Sequence, residues 1–201
     1  MSVQPFTSLK MADDFFSIYL NTGDADGSTG NNSTPRWHYP PNQGILDRYK
    51  DQFTFKKHIV DECKEIVEEC FEEPIALHIR RGDFLINSAN HHNQTLDYYE
   101  EALNKFDVKR QVVIFSDDPK WCMEQELFSG DRFLVSEAAG PYHDLYLMTQ
   151  CSDFIIANSS FSWWGAWLAN RGKVIAPKKW FGPNNSHLNT KDLYCEGWEV
   201  I

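Results

Sequence analysis

Residues 75–83 read Ile-Ala-Leu-His-Ile-Arg-Arg-Gly-Asp, and this stretch sets the fold. A short apolar run that stops abruptly at two arginines, a glycine and an aspartate is the pattern of a strand buried on both faces that ends in a polar loop. Ahead of it, 56–72 carries Ile59, Cys63, Ile66, Val67 and Cys70 at helical spacing. Behind it the alternation continues. The segment 96–106 reads as a helix with Thr95 as its cap, and 112–115 as a second buried strand running into Ser116-Asp117-Asp118. Pro119 suits the first turn of the next helix and Asp118 its N-cap. Strands are expected at 133–135, 153–157, 173–176 and 198–201, with helices at 142–151 and 162–170 between them. Strand–helix alternation with short Val/Ile-rich strands implies an α/β fold, a doubly wound parallel sheet covered on both faces, over residues 54–201.

Residues 1–53 read differently. The stretch 22–35 (TGDADGSTGNNSTP) has almost nothing to bury and is expected to be a flexible linker. Its Asp24-Ala25-Asp26 has the D-x-D form of metal-dependent glycosyltransferases, but such a triplet belongs after a hydrophobic strand, so chance accounts for it. No metal site is expected. The net charge of −10 over 201 residues excludes a nucleic-acid partner, which needs a basic face. It also means that an anionic ligand must be held by locally placed cations. The five cysteines form no C-x-x-C pair, and buried reduced thiols, with no signal-like or membrane-spanning run, point to a cytoplasmic protein.

In doubly wound sheets ligands bind beyond the carboxyl ends of the strands. Three of those ends carry polar clusters. His78, Arg80, Arg81 and Asp83 supply cations, and an Arg fork can hold phosphate oxygens at two points. In extended chain His78 and Arg80 share one face and Arg81 the other, so one arginine is expected on a ligand while the other pairs with Asp83. Arg80 is favoured for the ligand, with Arg81 divided between ligand and Asp83. Asp117 is left as a ligand contact once Asp118 caps its helix. Asn158, Ser159, Ser160 and Ser162 open a helix whose free N–H groups and dipole suit phosphate. Walker A and G-x-G-x-x-G patterns are missing. His91, His92 and His187 stand in polar stretches and read as solvent-exposed. Trp163, Trp164 and Trp167 read as core and lobe-packing residues, some of which could form an exposed face covered by a partner chain or a second copy.

These residues also resemble a known family. His78-Ile-Arg-Arg-Gly-Asp83 is similar to the H-x-R-R-x-D motif of α1,2-, α1,6- and related fucosyltransferases. Phe115-Ser-Asp-Asp118 with Trp121, Asn158-Ser-Ser-Phe-Ser-Trp-Trp-Gly-Ala-Trp167 and Val174-Ile-Ala-Pro-Lys-Lys-Trp-Phe181 resemble motifs of glycosyltransferase family 11, in matching order across about residues 50–181. The resemblance implies a Rossmann-like domain equivalent to the C-terminal lobe of a GT-B-like enzyme. It further implies α1,2-fucosyltransferase-like, inverting transfer of L-fucose from GDP-fucose to a sugar hydroxyl of a galactoside-terminated glycan, with no metal or other cofactor. On that pattern His78 and Asp117 contact guanosine, while Arg80, Arg81 and the Asn158–Ser162 region contact the diphosphate. Asp83 and His91 are the general-base candidates, and Arg80 stabilises charge on the leaving group. The family's Gly-rich opening segment has no counterpart here, and residues 1–53 are too few for a full N-terminal lobe. A non-catalytic GDP-sugar-binding module, a remnant, a transferase using another nucleotide sugar, or one completed by another polypeptide therefore stay open.

Overall fold

The computed structural model describes residues 53–70, 73–190 and 193–201. The expected linker at 22–35 and the Asp24–Asp26 triplet lie outside them. One compact unit is Lys57–Ile201. In chain order it runs α1 (Lys57–Cys70), β1 (Ile75–Ile79), α2 (Gly82–Ile86), α3 (Leu96–Leu103), β2 (Val112–Ser116), α4 (Pro119–Met123), β3 (Phe133–Val135), α5 (Pro141–Gln150), β4 (Asp153–Ile155), α6 (Ser160–Ala169), β5 (Val174–Ala176) and β6 (Glu199–Val200). Every expected strand is present. The strand order is β3-β2-β1-β4-β5-β6, and all five pairings are parallel. The chain therefore winds outward from β1 in one direction, returns, and winds outward from β4 in the other. The topological switch point lies between the ends of β1 and β4.

Alternation along β1 builds the two sides of the sheet. Ile75, Leu77 and Ile79 enter one core cluster with Tyr99, Ile114 and Ile155. Ala76 enters the other, with Phe115, Phe154, Met148 and Ile156, and His78 follows Ala76 onto that face. On α1, Ile59 and Cys63 are buried and Val67 packs beside them. Ile66, expected in the same stripe, stays exposed. The α5–α6 contact depends on Gly165, where a Cβ would stand 2.2 Å from the Met148 sulfur. A larger residue there must displace the Met148 side chain, at a typical overpacking cost of ~1–3 kcal/mol.

Trp163 and Trp167 are each only 4% exposed. Trp163 donates its indole N–H to the Leu193 carbonyl at 2.6 Å and packs against Trp198, centroids 5.7 Å apart. The core reading holds for these two, while Trp164 is half-buried. The chain's own C-terminal segment covers Trp163, so that ring needs no partner chain. Cys63, Cys122 and Cys151 are free and buried, and Cys195 is buried. No helix among the described residues is long and apolar enough to cross a membrane.

Candidate active site

The site is built at the switch point from the ends of β1 and β4 and the helices that follow them. β1 gives way at Arg80, and α2 starts immediately at Gly82. This turn is drawn against the end of β2 by one carboxylate. Asp117 Oδ1 accepts the Arg81 backbone N–H at 2.8 Å, and its Oδ2 pairs with Arg80 Nη1 at 3.2 Å. The turn passes so close that a Cβ on Gly82 would lie 2.5 Å from Asp117 Oδ2. Glycine is required here for space.

The two arginines then divide. Arg80 Nη2 donates to Asp83 Oδ1 at 2.6 Å, so Asp83 and Asp117 hold the guanidinium from two directions. A guanidinium has five N–H donors in a fixed plane, and this grip uses two of them. Up to three are left over. Arg81 Nε donates to Asp118 Oδ2 at 3.0 Å, and its guanidinium lies over the Trp121 ring at 3.7 Å. The expected Arg81–Asp83 pair is thus corrected. Asp83 belongs to Arg80, while Arg81, with its own N–H tied to Asp117, fastens the turn to α4. Asp118 also caps α4 as expected, accepting the Trp121 N–H through Oδ1 at 3.2 Å. Asp117, expected as a ligand contact, has both oxygens engaged by this turn.

His78 lies inside the sheet's end, 4% exposed, with its ring 5.2 Å from that of Phe161 in the first turn of α6. Burial, reinforced by the Arg80 charge, pushes its pKa down to about 3. It is therefore neutral at physiological pH. Its Nδ1 is buried with no protein partner, a costly state for a ring nitrogen unless a ligand or water satisfies it.

Across the switch point, α6 begins at Ser160, two residues earlier than expected. Ser159 is its N-cap and accepts the Phe161 N–H at 3.3 Å. Ser162 is fully buried and donates to the Ala157 and Ser159 carbonyls, both at 3.3 Å. Its expected donor-binding role is corrected to bracing this turn. Ser160 has the one exposed side chain of the three serines. Asn158 is buried and commits both amide hydrogens to backbone carbonyls, those of His92 and Trp180. It organises the site without offering a free donor.

His91 and His92 are half-buried, not solvent-exposed. His91 stacks on Phe84 of α2, centroids 4.2 Å apart, and forms a β-bridge with Phe181. For His92, burial first and the Lys179 charge second push the pKa down. His187 is exposed, as expected.

Sequence reasoning passed over one half-buried acid, Asp144. Asp144 sits in the first turn of α5, and its Oδ1 accepts the Ser136 hydroxyl at 2.5 Å. Burial pushes its pKa up. α5 packs on both α6 and α1, and besides burial, the larger cause, the Asp144 charge helps to push up the pKa of Cys63 on α1. The place of Asp144 directly behind Pro141, in a first helical turn, was the available signal.

Comparison with known proteins supplies the context. The model of glycosyl transferase family 11 matches residues 19–201. The chain is 35% identical to the O-antigen biosynthesis glycosyltransferase WbnK of Escherichia coli over 163 residues, covering 76% of this chain and 51% of that protein. It is 36% identical to an alpha-1,2-colitosyltransferase of Escherichia coli, over 63% of this chain and 47% of the relative. Identity is 25% to the galactoside alpha-(1,2)-fucosyltransferase 1 of Alouatta belzebul, over 65% and 40%. The chain thus spans about half the length of the curated relatives it matches. The crystal structure of NodZ alpha-1,6-fucosyltransferase soaked with GDP-fucose shares the fold at TM-score 0.51 and 15% identity, over 94% of this chain and 66% of that one. With a parallel doubly wound sheet, an arginine turn at its switch point and a family model matched from residue 19 to the last residue, the chain belongs to glycosyl transferase family 11.

Proposed function

We propose that residues 54–201 form the donor-binding lobe of a fucosyltransferase that binds GDP-fucose and transfers L-fucose, with inversion, to a hydroxyl of a galactoside-terminated glycan. The single observation that carries this reading is Arg80. It sits at the end of the central strand, at the switch point, fixed by Asp83 and Asp117 and retaining up to three N–H donors. In an acidic chain this is the feature suited to a diphosphate. The α6 N-terminus across the crevice adds free backbone N–H groups and the Ser160 hydroxyl.

The chemistry is a displacement at the anomeric carbon. The acceptor oxygen forms the new C–O bond as the bond to the β-phosphate breaks and GDP departs with the electron pair. Negative charge grows on the diphosphate, so donors already fixed in place stabilise the transition state more than the ground state. Asp83 and Asp117 supply that fixation for Arg80. The acceptor's proton goes to a base, for which Asp83 and His91 are the candidates in this lobe. No metal or other cofactor is needed in this scheme, since Arg80 and the helix dipole provide the positive field. For the guanine ring, His78 Nδ1 is the buried polar atom at the end of β1 that a ligand atom could satisfy. The relatives named for α-1,2 fucosyl and colitosyl transfer support the linkage and a deoxysugar donor. The buried free thiols of Cys63, Cys122 and Cys151 fit a cytoplasmic setting.

A second reading follows from length. The match spans about half the length of the relatives, and such a lobe could bind the donor without transferring it, or act with a second polypeptide. Calorimetric titration with GDP, GDP-fucose and UDP-sugars, followed by mass spectrometry of galactoside acceptors, separates these. Fucosylated product supports the enzyme, and GDP-fucose binding without product supports the module. No binding of any of these nucleotides overturns both.

A further inference from the structure

We infer that Gln94 is a positioning residue of the donor site, locking the phosphate-facing end of α6 to the two loops beside it through Asn158. This rests on the donor-site reading above. The geometry is a closed set of amide hydrogen bonds. Asn158 stands directly before the N-cap of α6 and is 3% exposed. Its Nδ2 donates to the His92 carbonyl at 2.8 Å and to the Trp180 carbonyl at 2.7 Å. Its Oδ1 accepts from Gln94 Nε2 at 3.0 Å, and the same Nε2 donates to the Lys179 carbonyl at 2.7 Å. Two side-chain amides therefore join segments 92–94, 158 and 179–180.

The loops so joined already form one body. Gly182 N–H donates to the Asn90 carbonyl at 2.9 Å and Asn184 N–H to the Ala89 carbonyl at 2.8 Å, beside the His91–Phe181 bridge. Asn158 and Gln94 fasten that body to α6. A helix N-terminus binds anions through N–H groups aimed at one point, so its aim depends on what holds the residue before its cap. Gln94 is suited to this by chemistry. Both its acceptors are carbonyl oxygens, which require a donor on each hydrogen, and an amide N–H₂ supplies two. A carboxylate at the same place presents acceptor to acceptor.

The test uses the whole chain with GDP and guanosine as probes, comparing wild type with Gln94→Met and Gln94→Glu. Affinities come from calorimetry and saturation-transfer NMR, and folding is followed by thermal melting. Gln94→Met is expected to weaken GDP about tenfold while guanosine affinity stays within about twofold, because the loss falls on the phosphate end. Gln94→Glu is expected to weaken GDP further than Gln94→Met. Guanosine and GDP weakening in equal proportion would show general support of the fold and overturn the inference. So would Gln94→Met binding GDP as wild type does, or Gln94→Glu binding it as well as Gln94→Met. Failure of the wild type itself to bind GDP defeats the donor-site reading, a result distinct from all of these.

Discussion

Replacing Gly82 with alanine tests how the arginine turn is held. The added Cβ would stand 2.5 Å from Asp117 Oδ2 and 3.4 Å from its Cγ. To reach an ordinary contact of about 3.5 Å, the carboxylate must retreat about 1 Å. That displacement takes the 2.8 Å bond from the Arg81 N–H out of hydrogen-bond range and lengthens the 3.2 Å pair with Arg80. Loss of a hydrogen bond to a charged group costs about 1.5–3 kcal/mol. Alanine returns up to about 1 kcal/mol of helix propensity at the start of α2. Gly82→Ala should therefore destabilise the chain by about 1–2 kcal/mol in urea unfolding. In an Asp117→Ala background the collision is gone, and the same change should be neutral or stabilising by up to about 1 kcal/mol. The double-mutant cycle should yield a coupling of about 2 kcal/mol. Additivity within about 0.5 kcal/mol would refute the idea that Gly82 is there to admit Asp117.

Other consequences can be measured directly. Arg80→Ala should lower transfer about 10²–10³-fold, the usual cost of one preorganised donor, and a loss under about threefold in a kinetic assay defeats its role. His78 is held neutral in the fold with its pKa pushed from 6.5 down to about 3, so the unfolded chain binds the extra proton between those values. Stability should then fall as pH drops through that window, by at most about 1.4 kcal/mol per pH unit from this group, and His78→Gln should melt with a shallower acid dependence than wild type. Asp144→Asn should raise the melting temperature at neutral pH, because burial disfavours the charged form. A variant that is no more stable contradicts that reading. EDTA should leave GDP binding unaltered in calorimetry, whereas loss of binding restored by a divalent cation would replace the metal-free scheme.

The sheet was legible because its signal is local. A run such as Ile75–Ile79 must be buried on both faces, and strand–helix alternation leaves little choice of topology. The Asp118 cap with Pro119 behind it was legible for the same reason. What escaped was set by contacts distant along the chain. Strand alternation placed His78 and Arg80 on one face, yet only the approach of β2 decides that Asp83 and Asp117 hold Arg80 while Asp118 and Trp121 hold Arg81. The serines after β4 read alike in one dimension. In the fold one caps, one is buried in the turn and one is exposed. Gln94 carried no signal at all, since its partners at Asn158 and Lys179 lie 64 and 85 residues away.

The central claim is that Arg80 at the switch point binds the diphosphate of a GDP-sugar. Calorimetric titration of GDP-fucose into the wild-type chain and into Arg80→Ala tests it most directly. The account predicts wild-type binding within about the 1 μM–1 mM range usual for enzyme substrates, and weakening of at least about tenfold in the variant, with both proteins melting cooperatively. Equal affinity in the two proteins, or no binding by a folded wild type, would contradict it.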